Sequence, residues 1–137
     1  MVLATPTLQT DRLQLRPFGD ADAGALFALH SDAQVLRYWD SPTWSDPGQA
    51  QPFIDRCQRL ADENVGVRLA VERRDDGAFL GWCSFSRWNP DFRSGALGYC
   101  FNAFAWGHGF ATEAAGALLG WAFDTLDLNR VQAETDT

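Results

Sequence analysis

Gly95–Phe101 (GALGYCF) leads through Trp106-Gly107-His108-Gly109-Phe110-Ala111 into Thr112–Leu126 (TEAAGALLGWAFDTL) and then Asn129–Thr135 (NRVQAET). The first stretch is rich in aromatic and small residues and predicts a strand. Gly107 and Gly109 mark a bend, because glycine bends where a Cβ would obstruct. After the bend, Ala111, Ala114, Ala115, Leu118, Leu119, Ala122, Phe123 and Leu126 recur on one face of a long helix. Asn129–Thr135 reads as a strand that this helix delivers back into a sheet. Strand, glycine bend, helix, strand is the unit around which the remainder is arranged.

Upstream, Val67–Arg73 and Ala78–Ser86 read as two strands of a hairpin, joined by Arg74-Asp75-Asp76-Gly77 with Asp-Gly turn chemistry. Arg87–Ser94 is predicted to be a loop. Before the hairpin, Ser45 or Asp46 followed by Pro47 starts a helix, since proline suits the first turn. Phe53, Ile54, Cys57 and Leu60 then repeat at helical spacing to about Glu63. A shorter helix begins at Asp20 or Asp22, turns Leu26, Phe27 and Leu29 inward and leaves His30 on its polar side; Val35–Trp39 follows as a short turn. Asp11–Pro17 alternates Leu13 and Leu15 with polar neighbours as a half-buried strand. The order is strand, two helices, three strands, helix, strand. That predicts one mixed α+β domain over residues 1–137, not the strict alternation of a doubly wound fold.

The bend has two readings. A Gly-x-Gly before a helix is commonly a tight structural turn. It is also a ready anion site, because the first helical N–H groups lack intrahelical partners and the helix dipole adds positive charge there. No lysine or arginine lies in Trp106–Ala111, so backbone amides would carry such binding. A P-loop is excluded by the absence of Gly-Lys-Ser/Thr. A dinucleotide fingerprint fails at Thr112, where that motif needs its third glycine, and no βαβ unit opens the domain.

Gly98-Tyr99 followed by WGHGFATEAAGALLGWAFDTLDLNRVQAET resembles the acyl-CoA-binding core of the GNAT superfamily of N-acetyltransferases, whose signature is Gln/Arg-x-x-Gly-x-Gly/Ala. Trp106 stands at its first position, Gly109 at the glycine and Ala111 at the last; an aromatic at the first position is common in the branch concerned. LQTDRLQLRPFGDADAGALFAL with Val35–Tyr38 (VLRY) is similar to the branch that acetylates ribosomal-protein N-termini. The resemblance covers almost the whole chain. It implies a central mixed, mostly antiparallel sheet flanked by helices, and acetyl-CoA as co-substrate, with no metal. The amides of Gly107, His108, Gly109, Phe110, Ala111 and Thr112, beside Trp106, would hold the pyrophosphate. The backbone of Tyr99, Cys100, Phe101 and Asn102 would pair with the pantetheine arm as an added strand does. The thioester would lie where Gly95–Phe101 diverges from Asn129–Thr135.

The resemblance also implies direct attack by the amine in a ternary complex. An α-amine with a pKa of about 7.7–8 is roughly a tenth to a fifth neutral at pH 7, against about four in ten thousand for a free lysine. An α-amine therefore asks less of a general base, and the chain offers no convincing one. Relatives often carry a glutamate where Ala96 stands; Glu134, the catalytic candidate, and Asp136 are replacements, or else a solvated strand end. Ser84 and Ser86 either face the expected cleft or bond to nearby strand backbone, and His108 either touches a phosphate or is a spectator in its loop. Tyr38, Trp39, Trp44 and Trp88 either line an acceptor pocket or cover the core beneath loops, whereas Trp82 and Trp121 read as core. In the family an Asn-x-x-Ser segment, another helix and closing strands follow the strand ending near Thr135, so the chain reads as a fragment lacking them.

Composition limits the partners. The formal charge of −7 argues against non-specific nucleic-acid binding and suits a cationic or amine-bearing partner, although it also simply favours solubility. Cys57, Cys83 and Cys100 have no CxxC spacing and read as reduced thiols of a cytoplasmic protein, not as disulfides or metal ligands. Met1–Leu8 lacks the features of a secretion signal, and no run of about 18 apolar residues spans a membrane. The expected acceptor is a protein or peptide N-terminus, with a small-molecule amine as its rival; a catalytically silent acyl-CoA-binding module or a plain interaction domain are the other classes. The expected state is a monomer or homodimer.

Overall fold

The computed structural model describes residues 4–37, 42–89, 91, 94–126 and 130–134, the last stretch in its backbone alone. Six strands form one sheet in sequential order: β1 (Leu8–Gln9), β2 (Leu13–Pro17), β3 (Val67–Arg73), β4 (Phe79–Asn89), β5 (Ser94–Phe101) and β6 (Arg130–Glu134). Neighbours from β1 to β5 are antiparallel. β6 lies parallel to β5, from Ser94–Arg130 to Gly98–Glu134. A parallel pair needs a crossover, and the helix after the glycine bend supplies it. The mixed, mostly antiparallel sheet expected from the sequence is the sheet found.

Three helices cover it: α1 (Ala23–His30), α2 (Ala50–Asp62) and α3 (Phe110–Leu126). Alternation along the strands divides the core in two. Leu13, Leu15, Val67, Leu69, Val71, Cys83, Phe85 and Leu97 face α3, which buries Phe110, Ala114, Leu118, Ala122 and Leu126 at intervals of four. Trp82 and Cys100 face the other way, toward Leu26, Leu29, Phe53, Ile54 and Cys57 of α1 and α2. α2 is preceded by a 3-10 turn, Pro47–Gln49, capped by Asp46, which accepts from the Gly48 amide at 2.9 Å. Gln49 Oε1 accepts from the Ser45 and Asp46 amides, completing a reciprocal cap. The β3–β4 turn has Gly77 at φ 73, as Asp-Gly chemistry requires.

Several details differ from the sequence reading. β1 is an additional short strand on the edge of β2. The predicted loop Arg87–Ser94 is shorter, because β4 runs on to Asn89 and β5 starts at Ser94. Arg87 takes a left-handed φ of 54° and the β4–β5 register shifts between Ser86 and Asn89, a bulge that the residue pattern conceals. Phe123 belongs to the predicted apolar face of α3 but is 45% exposed. His30 is buried rather than on a polar face, for Trp44 folds over it from the loop beyond α1. No helix among the described residues is long and apolar enough to cross a membrane.

Candidate active site

The glycine bend occupies Trp106–Gly109 and α3 begins at Phe110. Gly107 and Gly109 have φ of 81° and 77°, a conformation that L side chains rarely adopt. A Cβ on Gly107 would meet nothing within 4 Å, and one on Gly109 only Arg12 Nη2 at 3.5 Å. Backbone conformation, not crowding by the protein, therefore selects glycine here, and the outer surface of the turn is open. The Glu113 amide donates to the Gly109 carbonyl at 3.0 Å as the first helical turn closes. The preceding amides of Phe110, Ala111 and Thr112 lie in the part of a helix that has no intrahelical acceptor.

The bend is held from outside its own sequence. Arg12 of the β1–β2 turn donates through Nη1 to the His108 carbonyl at 2.9 Å and through Nε to Glu113 Oε1 at 2.7 Å. Its backbone amide and the Thr10 hydroxyl both donate to Glu113 Oε2. Its guanidinium also lies 4.5 Å above the Phe110 ring. Burial raises the Glu113 pKa, but the hydrogen bonds from Thr10 and Arg12 outweigh it and hold the carboxyl below its ordinary value. Thr10, Arg12 and Glu113 thus fasten the bend to the sheet, and sequence reasoning missed all three as site residues. The only sequence signal available was the paired occurrence of an arginine at a strand start and a glutamate in the first helical turn.

β5 leads into this bend. Phe101 stands opposite Gly81 and Cys100 opposite Trp82, while the Asn102 amide donates to the Leu80 carbonyl at 2.8 Å. In an antiparallel ladder alternate residues direct their backbone groups to one neighbour. Cys100 and Asn102 therefore address β4, and Tyr99 and Phe101 point to the β6 side. Described pairing with β6 ends at Gly98–Glu134. The Phe101 carbonyl accepts from the Trp106 indole at 3.0 Å, so the aromatic at the head of the bend is tied to the strand before it. Trp106 and Phe104 remain 47% and 59% exposed, an apolar border to the open turn.

On the α1–α2 face, Ser84 is buried opposite Gly98, and Ala96 is buried opposite Ser86. No carboxylate can be supplied from position 96. His30 accepts from the Trp82 indole at Nε2 (3.1 Å) and stacks on Trp44 with ring centroids 4.2 Å apart. Burial, then the charge of Arg68, lowers its pKa to about 4. A neutral imidazole whose lone pair is already engaged is a poor proton acceptor. Trp44 packs on the α1–α2 cluster, while Trp88 packs against the α3 cluster, so the described contacts do not bring these two together. Tyr38 and Trp39 lie outside the described residues, as does the Glu134 side chain. Cys57, Cys83 and Cys100 are buried and form no disulfide among the described residues, and burial pushes the Cys83 thiol up to about 12. No group of three metal-ligating side chains occurs among the described residues.

Comparison with known proteins bears on this geometry. Residues 12–137 match the family described as acetyltransferase (GNAT) domain. An uncharacterized N-acetyltransferase of Bacillus subtilis, YoaA, is 34% identical over 128 residues, covering 93% of this chain and 72% of that protein. A Vibrio cholerae structure, solved for a protein proposed to be a ribosomal-protein-serine acetyltransferase, superposes with a TM-score of 0.83 at 25% identity; the match covers 95% of this chain and 75% of that one. The spermidine N-acetyltransferase of Vibrio cholerae, solved with CoA and spermine, shares the fold with a TM-score of 0.75 at 18% identity, over 90% of this chain and 71% of that one.

Proposed function

Because this chain belongs to the GNAT acetyltransferases and is an acyl-CoA-dependent N-acetyltransferase, we propose that its acceptor is a protein or peptide N-terminal α-amine. The observation that carries the site assignment is the pair of left-handed glycines ahead of a 17-residue helix, on a turn open to the outside and fastened by Arg12. In this reading the amides of Gly107–Thr112 take the acetyl-CoA pyrophosphate, with the helix dipole favouring its charge. Tyr99 and Phe101 offer backbone groups to the pantetheine arm, beside Cys100 and Asn102. That sets the thioester at the β5–β6 divergence and Trp106 against the arm.

The α-amine attacks the thioester carbonyl directly. The C–N bond forms as the C–S bond breaks, the amine proton passes to solvent or to Glu134, and CoA leaves as the thiolate. With alanine at position 96 and His30 engaged, an acceptor already partly neutral suits the site better than a lysine side chain. Tyr38, Trp39 and Trp44 are proposed as apolar groups bordering the acceptor, whereas Trp88, packed on the α3 cluster, covers the core. We place the reaction in the cytoplasm, where buried thiols stay reduced. The formal charge of −7 favours one further reading, a small cationic amine as acceptor.

The test is acetylation of three acceptors with acetyl-CoA: a peptide with a free N-terminal alanine or serine, its N-terminally blocked form with one internal lysine, and spermidine. CoA thiol release and product mass are followed. Modification confined to the free N-terminus is the expected result. Turnover of spermidine alone would transfer the assignment to small amines, and CoA-independent mass gain or none with any amine would remove the enzymatic reading.

A further inference from the structure

A cavity of about 210 Å³ opens on the α1–α2 side of the sheet, away from the glycine bend. Arg68 of β3 lines it, together with the apolar Phe18, Ile54 and Cys57, and Asp20 and Asp55 are also in its wall. Arg68 stands in register with Ser84, and Ser84 with Gly98. Two strand spacings, about 10 Å in all, therefore separate its backbone from β5. The cavity is not the cleft between β5 and β6.

The chemistry of Arg68 is unusual for a structural arginine. Its guanidinium carbon lies 4.6 Å from the centres of both the Phe53 and Trp82 rings. Its Nε is shielded from solvent and has no hydrogen-bond partner, while Cys57 is the side chain its guanidinium hydrogen-bonds. No carboxylate among the described residues forms an ion pair with it; Asp22 and Glu72, which border the same face, are both taken by Arg16. Burial beside two aromatic rings lowers its pKa, so the charge is held there at a cost. At the other side, Asp20 and Asp55 are exposed and joined through Gln51, whose Nε2 donates to both at 3.1 and 3.0 Å. The cavity thus carries a cation lacking a carboxylate, an apolar middle, and two carboxylates held near each other. A simple anion would meet Asp20 and Asp55 unfavourably, and a simple cation would meet Arg68 in the same way.

We propose that this cavity binds a small zwitterion with an apolar body, its carboxylate on Arg68 and its ammonium toward Asp20 and Asp55. An amino acid with an aliphatic side chain has that chemistry. The site is independent of acetyl transfer. Beyond the cavity wall, the Arg68 guanidinium lies over the Trp82 ring, and the Trp82 indole donates to His30.

The probe is L-leucine, titrated into the ¹⁵N-labelled 137-residue chain while the Gly19, Asp20 and Asp55 amides are followed. 4-Methylpentanoate, lacking the ammonium, and 3-methylbutylamine, lacking the carboxylate, are titrated in parallel. Saturable shifts with leucine are expected, with either half-probe at least tenfold weaker. Arg68→Met should lower leucine affinity at least tenfold. Asp20→Asn with Asp55→Asn, both at exposed positions, should lower it severalfold while leaving 4-methylpentanoate no weaker, and this pair decides the matter if Arg68→Met does not fold. No saturable shift with leucine overturns the proposal. So does undiminished binding in folded Arg68→Met, or either half-probe binding as tightly as leucine.

Discussion

Glycine at 107 and 109 is selected by sign of φ, and that separates these two positions from the glycines of α3. Gly116 and Gly120 sit on the exposed side of the helix, and a Cβ at either would meet nothing within 4 Å. Alanine there removes unfolded-chain freedom without strain and should stabilise by about 0.5–1 kcal/mol. Alanine at Gly107 or Gly109 faces a left-handed φ of 81° or 77° and should cost about 1–2 kcal/mol. Urea unfolding of the four single variants checks the opposite signs. Isothermal titration with acetyl-CoA adds a second contrast, because under the proposed function only the two bend variants should lose affinity, by tenfold or more. Both glycines were legible in the sequence, since a Gly-x-Gly before an amphipathic run is a local pattern. Which of the several glycines are conformational was not, because φ is set by where the chain must go next.

Between elements, the Arg12–Glu113 contact joins the β1–β2 turn to the bend and to α3. Its members are about a hundred residues apart, at separations of 96 and 101. Local periodicity carries no information over such a distance, which is why the sequence disclosed α3 and the bend but not what fastens them. The hairpin and the cap of α2 were legible for the converse reason, as each is settled within four residues. The Arg87 bulge lay between these cases, because a left-handed arginine has no residue signature. Arg12 is nearly half exposed and Glu113 a fifth, so the ion pair itself contributes little to stability, about 1 kcal/mol or less. Its consequence is positional. Arg12→Ala should leave the unfolding midpoint almost unchanged while the KM for acetyl-CoA rises about tenfold and kcat at saturation falls less than threefold. Glu113→Gln should behave alike, and the double variant should be no worse than the poorer single one. Steady-state kinetics with the N-terminal peptide measures all three. An equal loss in kcat for Arg12→Ala would assign it to the chemistry rather than to the bend.

Over the whole molecule, the two faces of the sheet differ in what acid does to them. The α3 face is apolar, whereas the α1–α2 face buries His30 and carries Arg68 and the partly buried Arg16–Asp22 pair. His30 has a folded pKa of about 4 against 6.5 in the unfolded chain. Between those values the unfolded chain binds a proton that the folded chain refuses. Its contribution is therefore whole above pH 6.5, declines as the pH falls, and is gone near pH 4, with a loss of about 3 kcal/mol at 1.36 kcal/mol per unit. Asp22 acts in a lower window. Burial raises its pKa, but Arg16 and the Gly19 amide bring it below 3.8, so its contribution is lost only on further acidification. Net charge pulls the other way, since a chain of formal charge −7 repels itself less as carboxylates take up protons. Comparison with His30→Gln isolates the histidine, because glutamine can still accept from the Trp82 indole but does not titrate. Urea unfolding from pH 7.5 to 4.5 should show the native chain losing up to about 1.4 kcal/mol more per pH unit than the variant below pH 6.5. Parallel curves for the two chains would mean that His30 is protonated in the fold, and that the α1–Trp44 lid over it opens to water.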